Sequence, residues 1–510
     1  MNRITVAVAA AAGMALTMPA VPKQVRTASG LVSGVAGRNS AITVFKGIPF
    51  AAPPVGPLRW HAPVPAAPWQ GVRAADAFSP SCIQTIVTEK KPWTYEFMAH
   101  GEISEDCLYM NVWTPAAGGS AGRPVFVYIY GGGNVEGSGS VPAYDGEGLA
   151  SKGLVVVTFN YRVGVLGFLS HPELSKESSY HASGNYGLLD QIAAVRWVHD
   201  NIAAFGGDPT RVTVAGQSAG ASAVHSLTAS PLAKGLFQRA IADSGAGVGG
   251  MRTMAEQEAD GVRFAQAKKA PSIAELRAMA WSEVVTPVPG VRFAPAPDGY
   301  ALPSAVRDVF AAGKQNDVPT LTGVNADEGG AAPHPTTTLE AFQRDARQRY
   351  GALADEFLAL YPAAGDDEAR RAQNDSARDR ARATLYVWAL DRAKTAKTPA
   401  FTYFWSHTLP GPDADQYGAF HTSEVPYVLN TLSMSSRPFT PRDHQIAATL
   451  SSYWANFAAT GDPNGKGLPV WPAVDGATGQ TMEVGERFQP IPIAASQARI
   501  AFFRRFLSGR

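Results

Sequence analysis

The amino-acid sequence predicts an α/β fold, with a mostly parallel central sheet and helices on both of its faces. Three observations predict it. Short apolar runs rich in Val, Ile and aromatic residues recur without polar alternation, the pattern of strands buried on both faces. Apolar stripes spaced by three and four residues fall between those runs and mark helices. No Gly/Ser-rich linker and no internal repeat divides the 510 residues, so one large domain is expected, although length alone would allow about three.

At the N-terminus, a basic start at Met1–Arg3 leads into an apolar, Ala-rich run from Ile4 to Met18, which Pro19 and Ala20 break. Residues 1–20 therefore read as a signal peptide for export, to the periplasm or the medium. The run is shorter than the roughly 20 apolar residues of a membrane-spanning helix, and no other segment is long and apolar enough, so no stable membrane insertion is expected. The chain carries only Cys82 and Cys107. In an exported protein such a pair reads as a disulfide rather than a metal site, and no second Cys or His stands at zinc-finger spacing from either.

Strands are predicted over 124–130, 154–159, 211–215, 238–242, 318–324 and 401–405. Leu188, Ile192, Val195, Val198 and Ile202 form one helical stripe. Ile446, Leu450, Trp454 and Phe457 form another, which Gly461, Asp462 and Pro463 stop. The stretches 250–290 and 335–395 are charged and helical, without a strand pattern, and are expected to be insertions that cap the sheet. The charge run 366–382 within the second is expected to be a solvated helix face.

Composition excludes several functions. With 45% hydrophobic and 17% charged residues the chain is too apolar for disorder. Its net charge of +1 gives no electrostatic reason to expect a nucleic-acid partner. Fifty Gly and 38 Pro show no period, which excludes collagen.

The chemistry begins at Gly216-Gln217-Ser218-Ala219-Gly220. A G-x-S-x-G pattern arises by chance about 0.3 times in a chain of this length, so its context carries the argument. A strand runs into it and a helical stretch runs out of it, the arrangement a strained nucleophile turn needs, with small flanking residues that leave the Ser hydroxyl exposed. A serine hydroxyl does not ionise unaided near neutral pH. It needs a base within hydrogen-bond reach and an acid that orients the base. Among the histidines after Ser218, His225 lies on the same helix pointing away and His444 on an outer edge. His407 ends a strand and His421 follows in the next loop, and topology leaves those two open. Asp327 and Glu328 follow the strand 318–324 at the sheet edge where ligands bind, and spacing does not separate them. Gly131-Gly132-Gly133 follows the strand that ends at Tyr130. Its backbone N–H groups can turn inward toward a substrate carbonyl, with the N–H of Ala219 as a further donor. Neither phosphate-loop spacing fits these glycines.

The motifs together resemble the type B carboxylesterase family of α/β-hydrolases, which includes para-nitrobenzyl esterases and the cholinesterases. The resemblance runs from about Ser29 to about Phe503. It rests on FKGIPFAAPPVGPLRW at 45–60, SEDCLYMNVWTP at 104–115, YGGG at 130–133, NYRVGVLGFL at 160–169, GNYGLLDQ at 184–191, FGGDPTRVTVAGQSAG at 205–220, NADEG at 325–329, FHTSEVPYV at 420–428 and YWANFAATGDPN at 453–464. It implies an α/β-hydrolase fold and a serine carboxylic-ester hydrolase acting on small-molecule esters, with no cofactor and no metal. It implies the triad Ser218, His421 and Glu328 and an oxyanion hole of Gly132, Gly133 and Ala219. It also implies a bridge between Cys82 and Cys107 and structural ion pairs of Arg59 with Glu105 and Arg162 with Asp190. His407 then becomes structural. Three positions depart from close relatives. Gln217 replaces a Glu common before the nucleophile, Asn134 stands where an apolar or aromatic residue is common, and Trp93 does not match the offset of the choline-binding Trp. Two other readings are a non-catalytic binding protein on the same fold, and an amidase or thioesterase with the same triad. The sequence carries no signal for oligomeric state.

Overall fold

The computed structural model describes residues 23–87, 89–115, 122–245 and 250–508; the export signal expected over 1–20 lies outside them. Among the described residues the central sheet has eleven strands. In chain order they are β1 (Val35–Ala36), β2 (Ile42–Pro49), β3 (Tyr109–Pro115), β4 (Arg123–Ile129), β5 (Val155–Phe159), β6 (Gly207–Gln217), β7 (Arg239–Asp243), β8 (Thr320–Asn325), β9 (Ala400–Trp405), β10 (Gln480–Val484) and β11 (Gln489–Pro492). Across the sheet the order is β11-β10-β9-β8-β7-β6-β4-β5-β3-β2-β1. The strands from β10 to β5 in that order are parallel. Antiparallel strands extend both edges.

The expected strands form within one or two residues of their predicted bounds, except that the one expected over 211–215 runs from Gly207 to Gln217. β5 and β9 are buried along their whole length, which requires cover on both faces. Helices α1 (Tyr186–Asn201), α2 (Ala219–Ala229), α3 (Met254–Ala267), α4 (Leu339–Tyr350), α5 (Ala354–Leu360), α6 (Asp366–Ala393), α7 (Pro441–Thr460) and α8 (Gln497–Ser508) supply cover and flanking layers. On β6, Gly216 faces α2, whereas Thr213 turns the other way and its hydroxyl donates to Ala458 O of α7 at 3.3 Å. Side chains alternate along a strand, so α2 and α7 lie on opposite faces. α7 ends at Gly461 in the left-handed conformation (φ 85°), where its stop signal stands in the sequence.

Two helical stretches carry cores of their own. Under α3, Phe264, Ile273 and Leu276 pack with Trp60, Leu166 and Tyr186. In the second, Phe342, Tyr350 and Phe357 pack with Phe502, Phe503 and Phe506 of α8. The charge run 366–382 departs in part from its expected solvated role. It opens α6, whose Ala369, Ala372, Ala377 and Asp379 are buried. Arg378 and Arg380, both partly exposed, bind the loop after β8, because that loop presents a carboxylate and carbonyl oxygens within their reach.

The cysteines are bridged, Cys82 to Cys107, which closes a loop across 25 residues of sequence. Arg59 donates to both carboxylate oxygens of Glu105 (2.7 and 2.6 Å), and Arg162 to both of Asp190 (2.8 and 2.7 Å). The second pair is almost wholly enclosed, at 4% and 0% side-chain exposure.

Candidate active site

Ser218 stands between the end of β6 and the start of α2 with φ 61° and ψ −121°. A residue with a Cβ pays for that conformation, and the surroundings must enforce it. Its N–H donates to Asp243 O of β7 at 2.9 Å, and its carbonyl accepts from Ser222 N. The flanking glycines leave no room for anything larger. A Cβ on Gly220 would lie 2.1 Å from Ile129 O, and one on Gly216 would lie 2.5 Å from Gly220 O. Strand, turn and helix are thus pressed together so that the hydroxyl tips the turn at a cavity of about 290 Å³.

Gly131–Gly133, Gln217, Ser218, His421 and Trp93 share that cavity's wall. Gly132 has φ 95° and Gly133 φ 63°, and a Cβ on Gly132 would meet Glu136 O at 2.2 Å. Among the described residues, no backbone hydrogen bond takes up the N–H of Gly132 or Gly133. The Ala219 N–H is in the first turn of α2, where intrahelical acceptors are lacking and the helix dipole favours negative charge.

His421 Nδ1 is hydrogen-bonded to Glu328 Oε2. The other Glu328 oxygen accepts from Asn325 N at 2.7 Å, which fixes the carboxylate against the end of β8. Nδ1–H facing a carboxylate leaves Nε2 as an acceptor turned toward the cavity. The Gln217 amide N–H reaches it at 3.3 Å. Burial opposes a charged imidazole here, but the hydrogen bond and charge of Glu328 outweigh it and hold His421 above the ordinary histidine value.

The alternatives go elsewhere. Asp327 accepts from Arg378 Nη2 (2.7 Å) and from Ala419 N (2.7 Å), so it ties α6 to the loop before His421. His407 bonds Glu486 through Nδ1 and Asp443 Oδ1 through Nε2 (2.8 Å). His225 is buried against Phe310 and Trp388, with Nε2 2.7 Å from Gly245 O, and burial pushes it down to about 4. His444 is exposed.

Sequence reasoning missed the polar groups behind the imidazole. Asn325 Nδ2 donates to Glu424 Oε2 (2.5 Å) and to Phe420 O (2.7 Å). Burial, reinforced by the charge of Asp243, pushes Glu424 up to about 8. Burial likewise pushes Asp243 up to about 7, against a hydrogen bond from Tyr403. Both Asn325 and Glu424 lie inside the motif stretches 325–329 and 420–428, so the available signal was a polar residue three positions from each candidate catalytic group. A hydroxyl on a strained turn, an oriented imidazole and free N–H donors around one cavity are what acyl transfer requires.

The model of the Carboxylesterase family matches residues 21–503. Fumonisin B1 esterase of Sphingopyxis macrogoltabida is 39% identical over 491 residues, which cover 91% of this chain and 87% of that protein. The medium-chain fatty acyl-CoA hydrolase precursor of Anas platyrhynchos is 34% identical, with 91% and 88% covered. Cocaine esterase of Homo sapiens is 33% identical, with 86% and 83% covered.

Proposed function

The chain belongs to the carboxylesterase family and is a carboxylic-ester hydrolase, and we propose that Ser218, His421 and Glu328 are its catalytic triad. The single observation that carries the assignment is the strained Ser218 turn opening onto the same cavity as a His421 imidazole whose far nitrogen is bonded to Glu328. Ser218 Oγ attacks the ester carbonyl while His421 Nε2 takes its proton. Glu328 holds the imidazole's orientation and stabilises its charged form. The N–H groups of Gly132, Gly133 and Ala219 receive the charge that develops on the carbonyl oxygen. The imidazolium then protonates the leaving alcohol, and water, activated by the same nitrogen, releases the acid from the acyl-enzyme.

Hydrolysis of a short-chain p-nitrophenyl ester by the purified protein tests this. Turnover should saturate, and Ser218→Ala should abolish it. Turnover retained in Ser218→Ala would refute the nucleophile, and a folded protein without turnover would favour a binding role. The rate should fall in acid as His421 protonates, with its midpoint above the ordinary histidine value of about 6.5. A rate flat from acid to neutral pH would refute the base. The substrates are small-molecule esters. A relative named as an acyl-CoA hydrolase supports a thioester arm in the same assay, and matched anilides test for amidase activity.

Residues 1–20 fit an export signal, in agreement with the Cys82–Cys107 bridge and with the lack, among the described residues, of a helix long and apolar enough to cross a membrane. We further infer one catalytic domain over 21–510, in which the helical stretches near 250–290 and 335–395 are insertions. The mass of the exported product tests the first inference, and a single cooperative unfolding transition the second.

A further inference from the structure

The loop closed by the Cys82–Cys107 bridge touches the residues on both sides of His421. The Phe97 ring packs edge-on against Phe420, with centroids 6.1 Å apart. The Trp93 indole N–H donates to Thr422 Oγ1 at 2.5 Å and lies 3.1 Å from His421 O. Trp93 is itself held, because its N–H and C=O exchange hydrogen bonds of 3.0 Å with Lys90 O and Lys90 N across a tight turn. The same loop grips the glycine segment, where Gln84 Nε2 donates to Gly137 O and Gly137 N donates to Gln84 Oε1, both at 2.7 Å.

The residue that Trp93 holds is under strain. Thr422 has φ 82°, a region a β-branched side chain enters only when its surroundings force it. The Thr422 hydroxyl donates to His421 O, and the indole N–H caps that hydroxyl and carbonyl together. The strained peptide between His421 and Thr422 therefore depends on a donor 328 residues away in sequence.

We propose that Trp93 is a positioning residue for ester hydrolysis, whose indole N–H pins the strained Thr422 backbone and so keeps the His421 imidazole aligned with Glu328 and with the Ser218 hydroxyl. The proposal rests on His421 being the base. Trp93 brings no charge. The imidazole faces Glu328, the Gln217 amide and, behind Asn325, Glu424, so a looser His421 holds its contact with Glu328 less firmly.

Trp93→Phe tests it in the full chain with a p-nitrophenyl ester, because Phe keeps an aromatic, if smaller, ring on the cavity wall and removes the N–H. Since small misplacements of a reacting group can cost up to about 10²-fold, kcat should fall by roughly 10–100-fold while KM stays near the parent value. The acid limb of the rate profile should move to lower pH as the favourable contact with Glu328 weakens. Thr422→Ala, which removes the hydroxyl acceptor and keeps the indole, should lower kcat in the same direction. The double variant should cost less than the two single losses combined. A parental kcat and pH profile in Trp93→Phe overturns the proposal, as does a rise in KM alone, which would make Trp93 only a wall. If Trp93→Phe fails to fold, a parental kcat in Thr422→Ala overturns it. Activity surviving in Ser218→Ala and His421→Ala would instead overturn the reading of the site. Loss in both with a parental Trp93→Phe removes only this inference.

Discussion

At the scale of single residues, the site depends on backbone conformations that side chains resist. Ser218 and Thr422 both hold positive φ, and both are fixed by hydrogen bonds with distant parts of the chain: Ser218 N–H donates to Asp243 O of β7, and Thr422 Oγ1 accepts from the Trp93 indole. Gly132 shows the converse. Its φ of 95° and the Glu136 carbonyl close above it admit only hydrogen at Cα. Gly132→Ala should therefore displace the loop and withdraw an N–H donor from the cavity. Removing one such donor costs about 10²–10³ in kcat, which steady-state kinetics on the p-nitrophenyl ester would read, with a parental kcat counting against the oxyanion role.

At the scale of elements, three pieces of chain from distant parts of the sequence are clamped around one cavity. β6 and α2 deliver the hydroxyl, and the loop after β8 delivers the carboxylate. The segment beyond β9 delivers the imidazole, with α6 reaching across through Arg378 to steady both of the last two. The bridged loop 82–107 closes the front, bonded to the glycine segment and to Thr422 and packed edge-on against Phe420. A crosslink spanning 25 residues stabilises the fold by about 3–4 kcal/mol in the chain-entropy account. Replacing Cys82 and Cys107 by Ser should lower the unfolding free energy by that order, measured from denaturant midpoints with unchanged slope. An unchanged midpoint would mean that the loop's other contacts already hold it.

At the scale of the whole molecule, the interior behind the site stores protons. Burial holds Glu424 at about 8 and Asp243 at about 7, whereas an unfolded chain releases those protons near pH 4. Between those values the folded protein binds more protons than the unfolded one, so stability is greatest near the lower end of the window and falls as pH rises through it. Glu424→Gln keeps an acceptor for Asn325 and cannot ionise. Its melting temperature should therefore drop less than the parent's between about pH 5 and pH 9. Equal drops in the two proteins would exclude Glu424 as a source of the dependence.

What the sequence determined by itself is what short-range geometry writes into contiguous residues. The strand–turn–helix around Ser218, the glycines after β4 and the stop of α7 at Gly461 were legible because each requires particular residue types at adjacent positions. The parallel strands were legible because burial on both faces removes polar alternation. The antiparallel β1, β2, β3 and β11 were not, nor was β10, which is parallel to β9 but antiparallel to β11, since strands toward the edges carry mixed patterns, some interrupted by Gly47, Pro49 and Pro490. Tertiary structure decided which carboxylate and which histidine meet. Asp327 and Glu328 are chemical neighbours, and only the direction in which the loop leaves β8 turns one to Arg378 and the other to His421, 93 residues further along. It also decided what Trp93 is for, because an indole's hydrogen-bond partner depends on how distant segments close on one another, and no local pattern encodes that.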